Sequence, residues 1–277
     1  MNRLNHKEQA QILRCLVEGT SIRGTARICG RSKDTVMKLM VDVGKACMEY
    51  MDKALVNLPC KRIECDEVWA FCYAKKKNVP EEKKGILGYG DVYTWTAIDP
   101  ESKLIVSYMV GKRTAEYAQA FIADLAARLK NKVQVTTDGL KVYIDAIEES
   151  FGSEVDYAML IKLYGDDQDK EKRYSPSDFI ASEKQPVSGN PDPKNISTSI
   201  VERHNLTIRM SNRRFTRLTN AFSKKVENLT YSVALTFMHY NFCRIHKKLR
   251  VSPAMEAKVT DRLWDLEDVA KLVDEKK

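Results

Sequence analysis

The hydrophobic pattern of the chain changes at residue 61, and the order of segments after that point limits the fold more than any other feature. Three β-rich runs follow one another, "RIECDEVWAFCYAKK", "GYGDVYTWTAIDP" and "KLIVSYMVG", with the turn signal "DPESK" between the last two. Runs of this kind predict three strands of an antiparallel meander. The pattern then predicts a helix over 114–130, a buried strand ending at Asp138, a helix, a strand over 155–164 and a helix that contains Glu202.

This order of elements is that of an α/β protein with a ribonuclease H-like domain, a mixed five-stranded sheet with helices, over residues 59–260. In that fold the first and fourth strands are neighbours. Asp66 on the first strand and Asp138 at the end of the fourth are then expected to lie close together, although they are far apart in sequence. Carboxylates at the carboxyl edge of a sheet are typical of sites where α/β folds bind ligands.

Each of these acids also has a simpler explanation. Asp138-Gly139 is an ordinary turn sequence. Asp66 is harder to explain in that way, because it lies in a strand that is otherwise rich in Ile, Val, Trp and Phe. A buried charge is costly unless it is paired or binds a metal ion.

Residues 1–58 carry a helical pattern and predict an all-α helix-turn-helix domain. Ser21 and Ser32 are expected to cap the second and third helices, and Gly30 lies in the turn between them. The exposed start of the third helix would present Arg31, Lys33 and Lys38 to DNA. The alternative is a helical bundle that docks on the rest of the chain or dimerises.

The most basic part of the chain begins just after Glu202. Seven Lys/Arg and no acid lie between Arg203 and Lys225. Read as one helix over 200–222, the segment puts Glu202 and Arg209 on the face opposite to the apolar residues. The simpler explanation is that this face of the helix is exposed to solvent and that Glu202 is a surface acid near the helix N-terminus. The other reading makes Glu202 the third acid of a metal site, followed by arginines that contact DNA phosphates (Arg209, Arg213, Arg214, Arg217).

The remaining segments add less. Residues 165–198 are polar and contain four prolines, which predicts a mobile insertion, and residues 261–277 are expected to form a helical tail. The seven cysteines contain no CxxC pair, and a zinc site at Cys60, Cys65 and Cys72 would fit no common ligand spacing. The chain has no apolar run long enough for a membrane span and no signal-peptide pattern. We therefore expect a cytoplasmic, nucleoid-associated protein.

Three blocks of the sequence resemble the catalytic blocks of the insertion-sequence-one transposases. They are "ECDEVWAF", "TTDGLKVY" and "IVERHNLTIRMSNRRFTRLTNAFSKK", and "YNFCRIHKKLRVSPAMEA" is similar to the C-terminal tail of that family. The resemblance implies a DDE transposase in which Asp66, Asp138 and Glu202 hold two Mg²⁺ ions, with Mn²⁺ able to substitute. It also implies that Arg209 matches the basic residue that the family carries in the glutamate helix.

The net charge of +8 agrees with a polyanionic partner. We expect the chain to bind double-stranded DNA, both the terminal repeats of an element and its target, and to act as a homodimer or larger assembly because two ends must be joined. The expected reaction is metal-dependent cleavage at the 3′ ends of the element, followed by strand transfer. The alternatives are a catalytically inactive DNA-binding regulator and a structure-selective nuclease of the same fold.

Overall fold

The computed structural model describes residues 4–164 and 179–274, and it begins with three helices. They are α1 (His6–Val17), α2 (Ile22–Ile28) and α3 (Lys33–Ala54). The hydroxyl of Ser21 accepts a hydrogen bond from the backbone N–H of Gly24 at 3.0 Å, and that of Ser32 accepts one from Thr35 at 3.1 Å. Both predicted caps are therefore confirmed, and each satisfies a backbone donor that a helix start leaves free.

A six-stranded mixed sheet forms the centre of the chain. Its strands are β1 (Arg62–Cys72), β2 (Gly90–Ile98), β3 (Ile105–Gly111), β4 (Val133–Thr137), β5 (Val155–Tyr164) and β6 (Phe179–Ser188), in the order β3-β2-β1-β4-β5-β6. β1, β2 and β3 are antiparallel neighbours, whereas β4 is parallel to both β1 and β5. The predicted meander and the pairing of the first strand with the fourth are confirmed.

The prediction of five strands was wrong. Residues 179–188, which we expected in a mobile insertion over 165–198, form β6 and pair antiparallel with β5. β6 is an edge strand whose side chains are almost all exposed, so it lacks the apolar pattern by which a strand is found in sequence. The first part of the expected insertion, residues 165–178, lies outside the described residues.

Helices cover the sheet and extend beyond it. They are α4 (Ala115–Arg128), α5 (Val142–Phe151), α6 (Ser199–Ser211), α7 (Val226–Met238), α8 (Pro253–Glu256) and α9 (Leu266–Lys271), and a π-helical turn follows α7. α6 is shorter than the helix predicted over 200–222. At Asn212 the backbone becomes extended, and the Asn212 side chain binds the N–H of Arg214 and the carbonyl of Ser232. Arg213, Arg214 and Arg217 therefore do not continue the helix face of Glu202.

The N-terminal helices dock directly on the rest of the chain. α3 packs against α7, and α1 packs against α9. At the first contact a Cβ atom added to Gly44 would lie 2.3 Å from the carbonyl oxygen of Tyr231, so this crossing requires glycine. The ring of Tyr50 lies 4.8 Å from that of Trp264 and 5.5 Å from that of Phe242. The docked bundle that we considered as an alternative thus exists, and it leaves the start of α3 exposed.

Two further expectations concern cysteines and membranes. The cluster of metal-competent side chains found within residues 4–164 and 179–274 contains no cysteine. Within those same ranges, no helix combines the length and the apolar character that crossing a bilayer requires.

Candidate functional site

Three acids from distant parts of the chain line one cleft of about 460 Å³. Asp66 lies in β1, Asp138 directly follows β4, and Glu202 lies in the first turn of α6. In the parallel pairing of β1 with β4, Glu64 lies opposite Thr136, so Asp66 and Asp138 are each two residues further along their chains. The strand register thus explains why these two acids meet, as the sequence predicted.

The tightest group of acids includes a residue that we did not predict. One carboxylate oxygen from each of Asp66, Glu67 and Asp138 lies within 4.8 Å of the others. The Glu67 side chain is only 1% exposed. Its carboxylate accepts hydrogen bonds from the hydroxyl of Tyr143 and, at 3.0 Å, from Nε of Arg113. Glu67 precedes an apolar run directly after Asp66, and this second charge in the strand was the only signal in the sequence.

Glu202 lies in the same cleft but outside that tight group. Its carboxylate forms an ion pair with the ammonium group of Lys162 on β5 and accepts a hydrogen bond from the hydroxyl of Thr198. The two paired side chains are partly exposed, 28% for Lys162 and 38% for Glu202. The cleft therefore contains all three predicted acids, with Glu202 held by a lysine.

Two cations offset part of the negative charge of the cleft. Lys162 pairs with Glu202, and Arg113 lies between Glu67 and Asp138, with Nη2 3.4 Å from Oδ2 of Asp138. Both cations come from elements far from their partners in sequence, Arg113 after β3 and Lys162 on β5. Sequence reasoning missed both of them because no local pattern marks such long-range pairs.

Two acids of the tight group, Asp66 and Glu67, bind protons more strongly than ordinary carboxyl groups do. Burial, followed by the charge of Asp138, raises the pKa of Asp66 to about 6 and that of Glu67 to about 7. A divalent cation would replace those protons and offset the repulsion between the carboxylates. Because clustered carboxylate oxygens are the ligands that Mg²⁺ and Mn²⁺ prefer, the donor set fits such an ion.

α6 is anchored to β1 at two points, one on each side of Glu202 in the sequence. The buried carboxylate of Glu64 accepts hydrogen bonds from the backbone N–H groups of Ile200 at 2.8 Å and Val201 at 3.0 Å. Nδ2 of Asn205 donates a hydrogen bond to Oδ2 of Asp66 at 2.7 Å. Glu64 and Asp66 share one face of β1, so α6 runs across that face and brings Glu202 to the cleft.

The basic residues predicted to contact DNA have different surroundings. Lys33 is exposed, Arg31 pairs with Glu8, and Lys38 pairs with Asp42 at 2.7 Å. These last two pairs lie at the surface, where such contacts are weak and easily exchanged for phosphate.

The four arginines that follow Glu202 are also placed differently. Arg209 is half-buried on α6, Arg213 is half-buried in a 3₁₀ turn, and Arg217 is exposed. Arg214 differs because its guanidinium group donates hydrogen bonds to the hydroxyls of Ser223 at 2.7 Å and Ser232 at 3.0 Å. These protein contacts leave Arg214 fewer free donors for DNA than the sequence suggested.

The nearby His204 is not part of this chemistry. It is buried on α6 with its ring 4.6 Å from that of Tyr240 and 5.4 Å from that of Phe237. Burial lowers the pKa of His204 to about 3, so the ring is neutral and packs as an aromatic group.

Comparisons with known proteins give only distant similarities. No family model matches the chain, and no curated protein matches it. Among solved structures it is similar to a Mos1 strand transfer complex, with 14% identity over 56% of this chain and 59% of that chain and a TM-score of 0.24. A Mos1 transposase paired-end complex with the left transposon end gives 13% identity, 54% and 58% coverage and a TM-score of 0.23. A piggyBac transposase synaptic complex with hairpin DNA gives 9% identity, 98% and 72% coverage and a TM-score of 0.38.

These similarities have clear limits. The chain spans less than two thirds of the length of the Mos1 chains that it matches. With identities of 14% or lower and TM-scores below 0.5, the three structures assign neither a family nor an activity to this protein.

Proposed function

We propose that the protein is a DDE transposase of the insertion-sequence-one type that cuts the 3′ ends of its element and joins them to target DNA. The observation that carries this proposal is the cleft in which Asp66, Asp138 and Glu202 meet, although they come from three elements that are not adjacent in sequence. The order and direction of β1 to β5 support a ribonuclease H-like catalytic domain over residues 59–260. The three capped helices of residues 1–58 support a DNA-binding helix-turn-helix domain. In it, Arg31, Lys33 and Lys38 would face DNA.

The acids of the cleft have a defined role in this proposal. Asp66, Asp138 and Glu202 would hold two Mg²⁺ ions, which supply Lewis acidity toward the attacking oxygen and the leaving 3′ oxygen of DNA. In hydrolysis the attacking oxygen belongs to water, and in strand transfer it is the freed 3′-OH. Each step forms one P–O bond and breaks another; the proton of the attacking group passes to solvent, and the leaving 3′ oxygen takes a proton from solvent to become a 3′-OH.

The cations of the cleft would act on the DNA backbone. If Asp66, Asp138 and Glu202 hold metal ions, Lys162 would lose its pair with Glu202 and Arg113 its pair with Asp138. Both cations would then bind the phosphate that reacts and its neighbours. Arg209, half-buried on the same helix as Glu202, would contact the strand that crosses the cleft. Because an element has two ends, a homodimer or a larger assembly would supply one cleft to each end.

A nicking assay on duplexes that carry the element's own terminal repeats tests the proposal. We expect Mg²⁺ or Mn²⁺ to support nicking, Ca²⁺ to support binding with little nicking, and EDTA to abolish nicking. Glu202→Gln removes a ligand charge but keeps the side-chain size, so nicking should fall to background while DNA binding persists. Glu154→Gln, at an exposed turn before β5, is the matched control and should nick like the wild type.

Glu67→Gln tests whether Glu67 or Glu202 is the third metal ligand of the site. Because Glu67 is buried against Tyr143 and Arg113, we expect it to orient Arg113, and its variant should keep measurable nicking at saturating Mg²⁺. The converse result, with Glu67→Gln inactive and Glu202→Gln active, would give Glu67 the role of third ligand. Nicking by the wild type in excess EDTA would exclude the metal-dependent reaction altogether.

A further inference from the structure

A second cleft of about 670 Å³ lies between the N-terminal helices and the segment that precedes α7. One wall comes from the start of α2 and from α3, and the other comes from residues 213–228. Among the residues that the structure describes, five cations and no carboxylate line it. We call this site the basic cleft and define it by those five side chains: Arg23, Arg213, Arg214, Lys224 and Lys225.

None of these five cations forms an ion pair with any acid in residues 4–164 and 179–274. Elsewhere some cations of the chain form ion pairs, as Arg62, Arg128 and Lys132 show. Like charges gathered in one cleft repel each other, and a cleft focuses their field. The lining of the basic cleft therefore carries an excess of positive charge that a polyanion would offset.

The most deeply placed of these cations is Arg214. Its guanidinium group is held by neutral acceptors, the hydroxyls of Ser223 and Ser232 and, at 3.2 Å, the sulfur of Met40. Burial lowers the pKa of Arg214 to about 10, which leaves the group positively charged at neutral pH. Hydrogen bonds to neutral groups fix the position of the guanidinium without cancelling its charge.

Both walls of the basic cleft are held by close contacts with the rest of the chain. The close crossing of α3 and α7 at Gly44 holds the N-terminal helices against the second wall. The backbone N–H of Tyr73, just after β1, donates a hydrogen bond to the carbonyl of Ser223 at 2.9 Å. β1 also carries Asp66, so the same strand connects the basic cleft with the cleft of Asp66, Asp138 and Glu202.

We propose that the basic cleft binds successive backbone phosphates of a DNA duplex, clamped between Arg23 on the N-terminal helices and Lys224 and Lys225 on the opposite wall. This inference rests on the proposed function for the identity of the DNA, which would be the element end read by the N-terminal helices. In helix-turn-helix proteins the helix before the reading helix lies near the backbone, which agrees with the position of Arg23 at the start of α2. One duplex would thereby contact both walls. The N-terminal helices and the catalytic domain would then bind the same DNA molecule.

Salt titrations of duplex affinity test the proposal, with the full chain in EDTA so that no strand is cut. Each phosphate that a variant fails to bind should lower the steepness of log K against log salt by about one unit. We expect Arg23→Met to lower it by about one and the double variant Lys224→Met/Lys225→Met by about two. Lys130→Met/Lys194→Met, which removes two lysines near the start of β4, is the matched control and should keep the wild-type slope.

Footprinting decides whether both walls contact one duplex. With hydroxyl radicals, Arg23→Met and Lys224→Met/Lys225→Met should each expose sugars within the same half-turn of one duplex. The proposal would be overturned if the two variants exposed sugars on separate duplexes. It would also be overturned if neither the footprints nor the slopes of log K against log salt changed. Pyrophosphate is a second probe. If pyrophosphate stabilises the wild type while the variants keep full DNA affinity, the basic cleft is a site for small phosphates and not for DNA.

The outcome is separable from that of the proposed function. Slopes and footprints are measured without metal, whereas the transposase proposal depends on Mg²⁺-dependent nicking. If the variants change the salt slopes but the wild type does not nick DNA, the basic cleft binds DNA and the transposase proposal is wrong. Unchanged slopes with intact nicking would reject the basic cleft alone. Thermal denaturation of each variant confirms that it is folded.

Discussion

Removing the charge of Lys162 should strengthen metal binding and weaken DNA cleavage at the same time. The ammonium group of Lys162 contacts both carboxylate oxygens of Glu202, so a metal ion must compete with it for that ligand. Lys162→Met keeps the length of the side chain and removes the competitor. If Lys162 then binds a phosphate once Glu202 holds metal, the same change also removes an interaction that the reaction uses.

The size of the first effect follows from the exposure of the pair. Two unit charges about 4 Å apart attract by about 4 kcal/mol at an effective dielectric constant near 20, and by about 1 kcal/mol in bulk water. Because the two side chains are 28% and 38% exposed, solvent screening favours the lower figure. Removing about 1 kcal/mol of competition corresponds to a roughly fivefold lower Kd for the metal ion. A hydrogen bond to a charged phosphate is worth about 1.5–3 kcal/mol, so its removal should reduce cleavage roughly tenfold or more.

Calorimetric titration with Mn²⁺ at pH 7.5 and nicking at saturating Mg²⁺ measure the two effects. The control is Lys132→Met, which breaks a comparable lysine–carboxylate pair with Asp156 (2.9 Å) outside the cleft and should change neither quantity. If metal affinity stays the same or falls in Lys162→Met, the lysine does not compete with the ion and the reasoning is refuted. If affinity rises but nicking is unchanged, the proposed contact of Lys162 with phosphate is wrong.

Two further predictions follow from the acids and from the docking of the N-terminal helices. Because the folded-state pKa values of Asp66 (about 6) and Glu67 (about 7) lie above their ordinary values, their contribution to stability is present below about pH 4 and is lost as the pH rises through 6–7. Mg²⁺ should therefore raise the Tm more at pH 8 than at pH 5.5, and an equal rise at both pH values in scanning calorimetry would contradict this linkage. Gly44→Ala forces a methyl group onto the Tyr231 carbonyl, so it should cost about 1–3 kcal/mol and lower the Tm by roughly 2–12 °C. An unchanged Tm in thermal denaturation would show that α3 and α7 can move apart to fit the methyl group at little cost in stability.

The sequence was most informative where a residue's position in the sheet decides its neighbours. Asp66 and Asp138 meet because β1 and β4 are parallel neighbours, and that pairing follows from the order of strands and helices. The caps at Ser21 and Ser32 were predictable because capping is local, set by a residue and the backbone three positions later. Whether these acids perform the proposed chemistry stays a prediction.

The features that the sequence did not reveal depend on long-range or unpatterned contacts. Lys162 and Arg113 meet their carboxylates only after β5 and the end of β3 have been placed beside the acids. The edge strand β6 has mostly exposed side chains, so burial leaves no period in its sequence. The helix predicted through residue 222 ends early because Asn212 offers its side chain to the backbone at Arg214, an alternative to the helical hydrogen bond.

One face of β1 links the fold of the protein to its proposed chemistry. Glu64 and Asp66, two residues apart, both point toward α6, but they serve different ends. Glu64 holds the helix, since Oε2 of its buried carboxylate accepts two backbone N–H groups at the start of α6, where negative charge is also favoured by the helix dipole. Asp66 accepts a hydrogen bond from Asn205 at Oδ2 and one from the backbone N–H of Glu67 at Oδ1, and it lines the cleft. The hydrogen bonds by which Glu64 holds the start of α6 involve none of the acids that could bind metal, so Glu202 can exchange Lys162 for a metal ion while the start of α6 keeps its place.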